Sequence, residues 1–291
     1  MPKISVKRDY YQGEVGTSPF VYAGCLCNNN CIFCFEKDQK FFNKETASLK
    51  KEIKIIREKY DFINIMGQEP TLRKDLPELV SWAKENGFKQ IGITTNGRML
   101  AYGNLAVKLV ENGLNQFVIT VAGHNAKLHD WHTQSQGSFN QTVRGIKNVL
   151  ALPNKAVSVV INLMVTAKNY KQLLAMADFY IKLGAKEINI GHILPFNEEI
   201  KSSKKIVAKM SAVAPFLVAI AKKYGQSARF LFVEYPPCVF PKKYRHLSFP
   251  CLEESPQKVR IALCRRCPHT RQCVGIHPYY LNLYGAKEFK L

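Results

Sequence analysis

Gly24-Cys25-Leu26-Cys27-Asn28-Asn29-Asn30-Cys31-Ile32-Phe33-Cys34-Phe35 is the stretch around which this chain is organised. Three of its cysteines, Cys27, Cys31 and Cys34, stand at C-x3-C-x2-C, with the aromatic Phe33 just before the last. Thiolates crowded into so short a loop converge on a soft metal, and iron–sulfur clusters are held by such groups. Three ligands leave one iron of a 4Fe–4S cube without a protein partner, a corner open to substrate or cofactor. A zinc knuckle is the competing reading, but zinc favours paired C-x2-C knuckles with a fourth ligand close by.

Bulk composition narrows the class. The chain has 291 residues, 46% of them hydrophobic, enough for one large α/β domain plus an extension. No apolar run reaches membrane-spanning length, and Met1-Pro2-Lys3-Ile4-Ser5-Val6-Lys7-Arg8 lacks the hydrophobic region of a signal peptide. A cytoplasmic protein is expected. In a reducing compartment, nine cysteines argue for metal ligation over disulfides. They fall in two groups, Cys25 to Cys34 and Cys238 to Cys273, with none between. The net charge is +20, of which the stretch 201–291 carries +13. Such a surface attracts nucleic acid, acidic peptides or phosphorylated metabolites; a solvated lysine-rich face is the plainer alternative.

Residues 1–20 read as a polar lead-in, and Val21-Tyr22-Ala23 as a strand end that delivers the cysteine loop. Asn43 to Tyr60 has helical spacing, with Leu49, Ile53, Ile56 and Tyr60 on one face. Phe62 to Met66 is a strand ending at Gly67-Gln68-Glu69-Pro70, and Asp75 caps the next helix, stopped by Gly87. Gln90 to Thr95 closes on Thr94-Thr95-Asn96-Gly97, and a helix follows over 100–112. Gln116 to Val121 ends at Ala122-Gly123-His124-Asn125. Ser138 and Gln141 read as a capping box for a helix with Phe139, Val143, Ile146 and Leu150 inward. Val157 to Val165 is a strand, Asn169 caps the next helix, and Glu187 to Ile193 is the sixth strand. Six strand–helix units predict parallel strands with outer helices. A closed barrel takes eight units and about 250 residues. The expected fold is therefore α/β, a partial (β/α)6 barrel over 21–225, with a small cysteine-rich extension over 226–291. Ligands of such barrels gather at the C-terminal strand ends, where each motif above falls.

The cysteine spacing with Phe33, followed one strand later by Gly67-Gln68-Glu69-Pro70, resembles the radical S-adenosylmethionine (radical SAM) superfamily. The resemblance implies that Cys27, Cys31 and Cys34 hold a 4Fe–4S cluster whose open iron chelates the amino and carboxylate groups of SAM. Glu69 stands where the family's Gly-Gly-Glu-Pro segment accepts the methionyl ammonium, with Gln68 in place of the second glycine. Thr95 and Asn96 match the strand-end segment facing the SAM ribose and carboxylate, which also reads as an ordinary Asn-Gly turn. His124 matches the family's fourth strand end, against a hydrogen-bonded loop histidine. Asn162 faces the ribose or is satisfied by backbone, and Ile193, after Gly191 and His192, would lie against adenine. Phe33 completes the cofactor-binding set.

The tail carries a second motif. Cys264-x2-Cys267-x5-Cys273 resembles the SPASM/twitch extension of the same superfamily, with His277 where the fourth cysteine of that signature stands. The resemblance implies one auxiliary 4Fe–4S cluster, closed by Cys238 after Pro236-Pro237, with Cys251 as the rival ligand. A structural zinc site would use the same residues. Both readings make the tail a metal-stapled module, with His277 a satisfied surface or interface histidine.

A radical SAM oxidoreductase is thus expected, cleaving SAM reductively to a 5′-deoxyadenosyl radical that abstracts hydrogen from a substrate. Peptide or protein is the leading substrate, RNA or a phosphorylated metabolite the second. An electron donor such as flavodoxin or ferredoxin is implied. The non-enzyme alternative is a metal-stapled nucleic-acid-binding protein, against which the Glu69 and Thr95-Asn96 stations speak.

Overall fold

Short apolar strands separated by amphipathic helices assemble into one parallel sheet. In the computed structural model the described residues are 18–34, 43–153, 156–193, 203–248, 258–271, 273 and 275–291. Strands β1 (Phe20–Tyr22), β2 (Phe62–Met66), β3 (Gln90–Thr95), β4 (Gln116–Val121), β5 (Ser158–Val165), β6 (Glu187–His192) and β7 (Arg229–Val233) lie side by side in chain order. Every neighbouring pair is parallel, and among the described residues β1 and β7 do not pair, so the barrel is open. The crossovers are α1 (Thr46–Arg57), α2 (Leu76–Glu85), α3 (Leu105–Glu111), α4 (Ala126–Thr133) with α5 (Ser138–Leu150), α6 (Leu173–Leu183) and α7 (Met210–Tyr224). None of the described helices is long and apolar enough to cross a membrane.

Period-two alternation sorts the strand residues. Ile63, Ile65, Ile91, Ile93, Phe117 and Ile119 are buried under the helices. Their alternates Asn64, Thr94, Thr120, Asn162 and Asn189 are half-buried on the inner face. There Thr94 Oγ1 donates to Asn64 Oδ1 at 2.9 Å, and Asn162 Nδ2 to Thr120 Oγ1 at 3.3 Å. These polar pairs line the inner face of the barrel.

Several expectations need correction. The sheet does not stop with the sixth unit: α7 feeds a seventh strand, in which Phe230 and Phe232 face the helices. Phe20, assigned to the lead-in, already belongs to β1, and residues 1–17 lie outside the described residues. The capping box at Ser138 is absent. Gly137 is the N-cap, and Asp130 instead accepts from Gly137 N, Ser138 Oγ and Phe139 N. The buried stripe of α5 is accordingly Ser138, Thr142, Gly145, Ile146 and Val149. Asp75 is an N-cap by position alone; its carboxylate holds Arg73 and Thr46. Asn169 does not cap a helix with its side chain: Oδ1 accepts from Thr166 N, and Nδ2 donates to Ala122 O and Met164 O. The helix expected over 100–112 is a 3-10 turn, Met99–Ala101, followed by the shorter α3.

Beyond β7 the chain packs onto the barrel. Tyr280, in α8 (Pro278–Tyr284), is buried; its hydroxyl accepts from Met210 N at 2.6 Å and donates to Glu288 Oε1 at 2.5 Å. Tyr284 Oη donates to Val207 O at 2.8 Å. Lys258 pairs with Glu234, just past β7, and Val259 and Ile276 form an antiparallel bridge.

One glycine decides how α5 meets the strand ends. A Cβ at Gly145 would stand 2.2 Å from the carbonyl oxygen of Gly97. Gly145→Ala is expected to push α5 off that turn and destabilise the protein by about 1–3 kcal/mol, as overpacking does. Urea unfolding of the two proteins measures it.

Candidate active site

The site is built around a buried carboxylate. After β2 the backbone turns sharply: Gly67 has φ 102° and Gln68 φ 45°, both left-handed. A Cβ at Gly67 would lie 2.9 Å from Ala23 N, so only glycine allows this approach to the β1 exit. Gln68 takes the left-handed conformation at a cost of about 1–2 kcal/mol. The turn therefore survives the replacement of the family's second glycine. It delivers Glu69, whose N–H donates to Leu26 O at 3.0 Å, beside the cysteine loop.

Four donors converge on the Glu69 carboxylate, which is 2% exposed. Oε1 accepts from Thr71 N at 3.0 Å, from Thr71 Oγ1 and from Thr95 Oγ1 at 2.6 Å. Oε2 accepts from Asn96 N at 2.7 Å. Burial raises the pKa of this group, and the donors from Thr71, Thr95 and Asn96 pull it back down. Thr95 and Asn96, expected to face the cofactor, spend their contacts within the protein. Asn96 Nδ2 donates to Asn28 Oδ1 at 2.7 Å and lies 3.9 Å from Cys27 Sγ.

The cysteine loop is held on several sides. Asn30 N and Ile32 N donate to Thr133 O and His132 O, both at 2.9 Å, at the end of α4. Ser135 Oγ donates to Asn28 O at 3.3 Å. Arg98 Nη1 donates to Asn28 O and, at 2.8 Å, to Asn29 Oδ1. Phe33 is buried with its ring 6.3 Å from that of His132. Cys27 is exposed, and Cys31 and Cys34 are half-buried. Burial raises the Cys31 thiol, and Cys34 and Cys27 raise it further. Three thiols that oppose one another's ionisation suit a cationic centre, which would neutralise them together. Cys25 is half-exposed, and its N–H donates to Asn43 Oδ1 at 3.1 Å. Phe35 lies outside the described residues.

The other strand ends add less. His124 follows β4; its Nε2 lies 3.4 Å from Asn125 Nδ2, and its buried Nδ1 has no partner. Burial lowers its pKa. Asn162 is turned to Thr120 on the inner face, and Ile193 is fully buried after β6. Sequence reasoning missed Arg98 and Ser135, because nothing in their spacing marks them and only the fold brings them to the loop; Gln141, read as part of a capping box, instead accepts from Arg98 Nε.

In the tail, Cys238, Cys264, Cys267 and Cys273 line one cavity with Pro237 and Ile276. Burial pushes Cys238 up to about 12, and Cys273, Cys267 and Cys264 add to the rise. Thr270 Oγ1 donates to Cys264 O at 2.8 Å and Cys267 O at 2.7 Å, closing the loop that presents both thiols. Among the described residues no three Cys, His, Asp or Glu side chains converge as ligands of a single ion do. The corners of a cube are reached from farther apart. His277 does not lie at the surface. It is 3% exposed, caps α8 by accepting from Tyr279 N at 3.4 Å, and stacks on the Tyr279 ring at 5.0 Å. Cys251 lies outside the described residues.

Two predictions follow from these environments. In Glu69→Gln an amide NH2 would face donors, so the variant should lose about 1–3 kcal/mol of stability even without cofactor; urea unfolding of the apoprotein checks it. His129 and His132 have pKa values lowered to about 4, in both cases first by burial. His132 Nδ1 donates to Leu128 O at 2.7 Å and Nε2 accepts from Thr166 Oγ1 at 2.8 Å, so the ring is neutral in the fold. The unfolded chain takes up these protons below about pH 6.5. Their contribution is thus complete above that pH and shrinks as pH falls toward 4. Urea midpoints should fall from pH 7 to pH 5, and His132→Gln should flatten that slope.

The geometry can now be set beside known proteins. A family model for the Radical SAM superfamily matches residues 21–180, more than half of the chain. A probable GTP 3′,8-cyclase of Sulfurisphaera tokodaii is 28% identical over 198 residues, covering 62% of this chain and 60% of its own. A probable GTP 3′,8-cyclase of Methanocaldococcus jannaschii is 31% identical over 180 residues, covering 60% and 58%. The chain thus spans less than two thirds of the length of these relatives. Among solved structures, Streptococcus suis SuiB bound to precursor peptide SuiA superposes with a TM-score of 0.59 at 19% identity, over 73% of this chain and 48% of that one. Native anSMEcpe with bound AdoMet and the Cp18Cys peptide gives 0.63 at 15% identity, over 94% and 96%. At these identities the likeness is one of fold. The matched segment contains the cysteine loop, the Glu69 turn and the Thr95-Asn96 strand end, and the chain belongs to the radical SAM superfamily of enzymes.

Proposed function

We propose that this chain is a radical SAM enzyme with one auxiliary 4Fe–4S cluster, acting on a peptide or protein segment. The observation that carries the auxiliary cluster is the single cavity shared by Cys238, Cys264, Cys267 and Cys273. Cys27, Cys31 and Cys34 hold the first cluster, and a reducing cytoplasm suits both. When bound, that cluster and SAM supply reductive cleavage to methionine and a 5′-deoxyadenosyl radical; the protein supplies position and exclusion of water.

Glu69 anchors the cofactor. A carboxylate offers about four lone-pair sites. Oε1 is crowded by three donors, and Oε2 has a site left for an ammonium N–H. Asn162 lies on the ribose side with His124 at the neighbouring strand end, and the fully buried Ile193 shapes the adenine side only from beneath it. The polar inner face, with Asn64, Thr94 and Thr120, orients a substrate entering the open barrel. Support for a peptide comes from the likeness in fold, over nearly the whole chain, to a structure holding AdoMet and a peptide. The second reading, a phosphorylated nucleotide, is favoured by the cyclase relatives and by the net charge of +20. An acidic one-electron donor, flavodoxin or ferredoxin, completes the scheme.

Anaerobic reconstitution with SAM and dithionite, assayed for 5′-deoxyadenosine with peptides or GTP added in turn, separates the two readings. Iron and sulfide should reach about eight each per chain, two cubes of four. The Cys27/Cys31/Cys34→Ala variant should retain about four and make no 5′-deoxyadenosine. Cys238→Ala should lose the auxiliary cluster; zinc in the tail after anaerobic purification would overturn it. Glu69→Gln should bind SAM more weakly by about 1.5–3 kcal/mol with iron content unchanged.

A further inference from the structure

The loop between Cys27 and Cys31 has no regular secondary structure of its own, so something outside it must fix its shape. Most of the braces are neutral hydrogen bonds from α4 and Ser135. One is a charge. Arg98 follows the Thr94-Thr95-Asn96-Gly97 strand end, and its guanidinium reaches across to the loop. Nη1 donates to Asn28 O and Asn29 Oδ1, while Nε donates to Gln141 Oε1 on α5 at 2.6 Å. All three acceptors are neutral, and no carboxylate partners Arg98 among the described residues. An arginine this enclosed is ordinarily matched to an acid or a phosphate.

We propose that Arg98 is a positioning residue for the site cluster, and that the cluster's own negative charge is its missing counterion. The proposal rests on the assignment of Cys27, Cys31 and Cys34 as ligands. Two effects follow, and they separate. The fork fixes Asn28 and Asn29, immediately after the first ligand, and so shapes the loop for loading. The positive charge stabilises the cluster more strongly after it has gained an electron than before, which raises its midpoint potential. Arg98 is also backed by a rigid element, since Gln141 sits in the second turn of α5, whose Thr142 Oγ1 donates to Asn96 O at 2.8 Å. Geometry and charge thus arrive at the loop from the same strand end that carries Thr95 and Asn96.

The test uses the full chain, reconstituted anaerobically, with Arg98→Lys, Arg98→Met and Gln141→Leu, and Arg144→Met as control on an exposed residue of α5. The readouts are iron content, urea midpoint and an EPR-monitored redox titration of the signal that shifts when SAM is added. Arg98→Met is expected to load less iron and to titrate at a lower potential than wild type. Arg98→Lys keeps the charge without the fork, so its potential should stay near wild type while its iron content falls. Gln141→Leu, which leaves Arg98 in place but unbacked, should show a smaller loss of iron. Arg144→Met should match wild type throughout. Should Arg98→Met fail to fold, the Lys and Leu variants carry the comparison. Wild-type potential and iron content in Arg98→Met, or a potential in Arg98→Lys as low as in Arg98→Met, would overturn the proposal. If the SAM-sensitive signal survives in the Cys27/Cys31/Cys34→Ala variant, the ligand assignment itself is wrong. Loss of that signal there, with Arg98→Met unchanged, removes only the role of Arg98.

Discussion

Burying an ionised carboxylate costs several kcal/mol unless its oxygens are satisfied, and that constraint shapes the mouth of this barrel. Glu69 is enclosed, so the chain must bring donors to it from three places: its own turn through Thr71, the end of β3 through Thr95, and the next backbone amide at Asn96. The same amide residue reaches Asn28 in the cysteine loop. One carboxylate thereby ties the ends of β2 and β3 to the loop that follows β1. The left-handed Gln68 and the glycine-only contact of Gly67 with Ala23 are the backbone conditions that put Glu69 there.

The tail is held to the barrel by a comparable economy of contacts. Lys258, 6% exposed, pairs with Glu234 at the end of β7, and Tyr280 joins α7 to Glu288. Cys238 leaves β7 through a stiff Pro236-Pro237 segment and meets the loop closed by Thr270. Strand extension and thiol cavity are therefore one device: β7 adds to the sheet and in doing so delivers the fourth cysteine. Where the SPASM signature would have another cysteine, His277 turns inward and starts a helix.

Much of this was legible in the sequence. Six strands and their order followed from apolar runs ended by glycine and asparagine. The cysteine loop was marked by its spacing, and Glu69 and the Thr95-Asn96 end by their resemblance to radical SAM segments at successive strand ends. Cys238, one of the two tail ligands that the sequence offered, lines a cavity with Cys264, Cys267 and Cys273, while its rival Cys251 lies outside the described residues. The seventh strand did not stand out, since it lies beyond the six strand–helix units that the sequence pattern marks. Nor did the caps: Asp130 displaced Ser138 and Gln141 because a carboxylate from the preceding helix reaches three donors at once.

The sequence by itself determined part of the local chemistry, which residues can ligate or turn, since that depends on neighbours a few positions away. Only the tertiary structure decided partnership. That Thr95 serves Glu69, that Arg98 and Ser135 share the Asn28 carbonyl, and that His277 caps a helix in place of ligating are contacts between residues distant in the chain or set by burial. A hydrogen bond depends on fractions of an ångström, and such distances are fixed by how helices seat on the sheet.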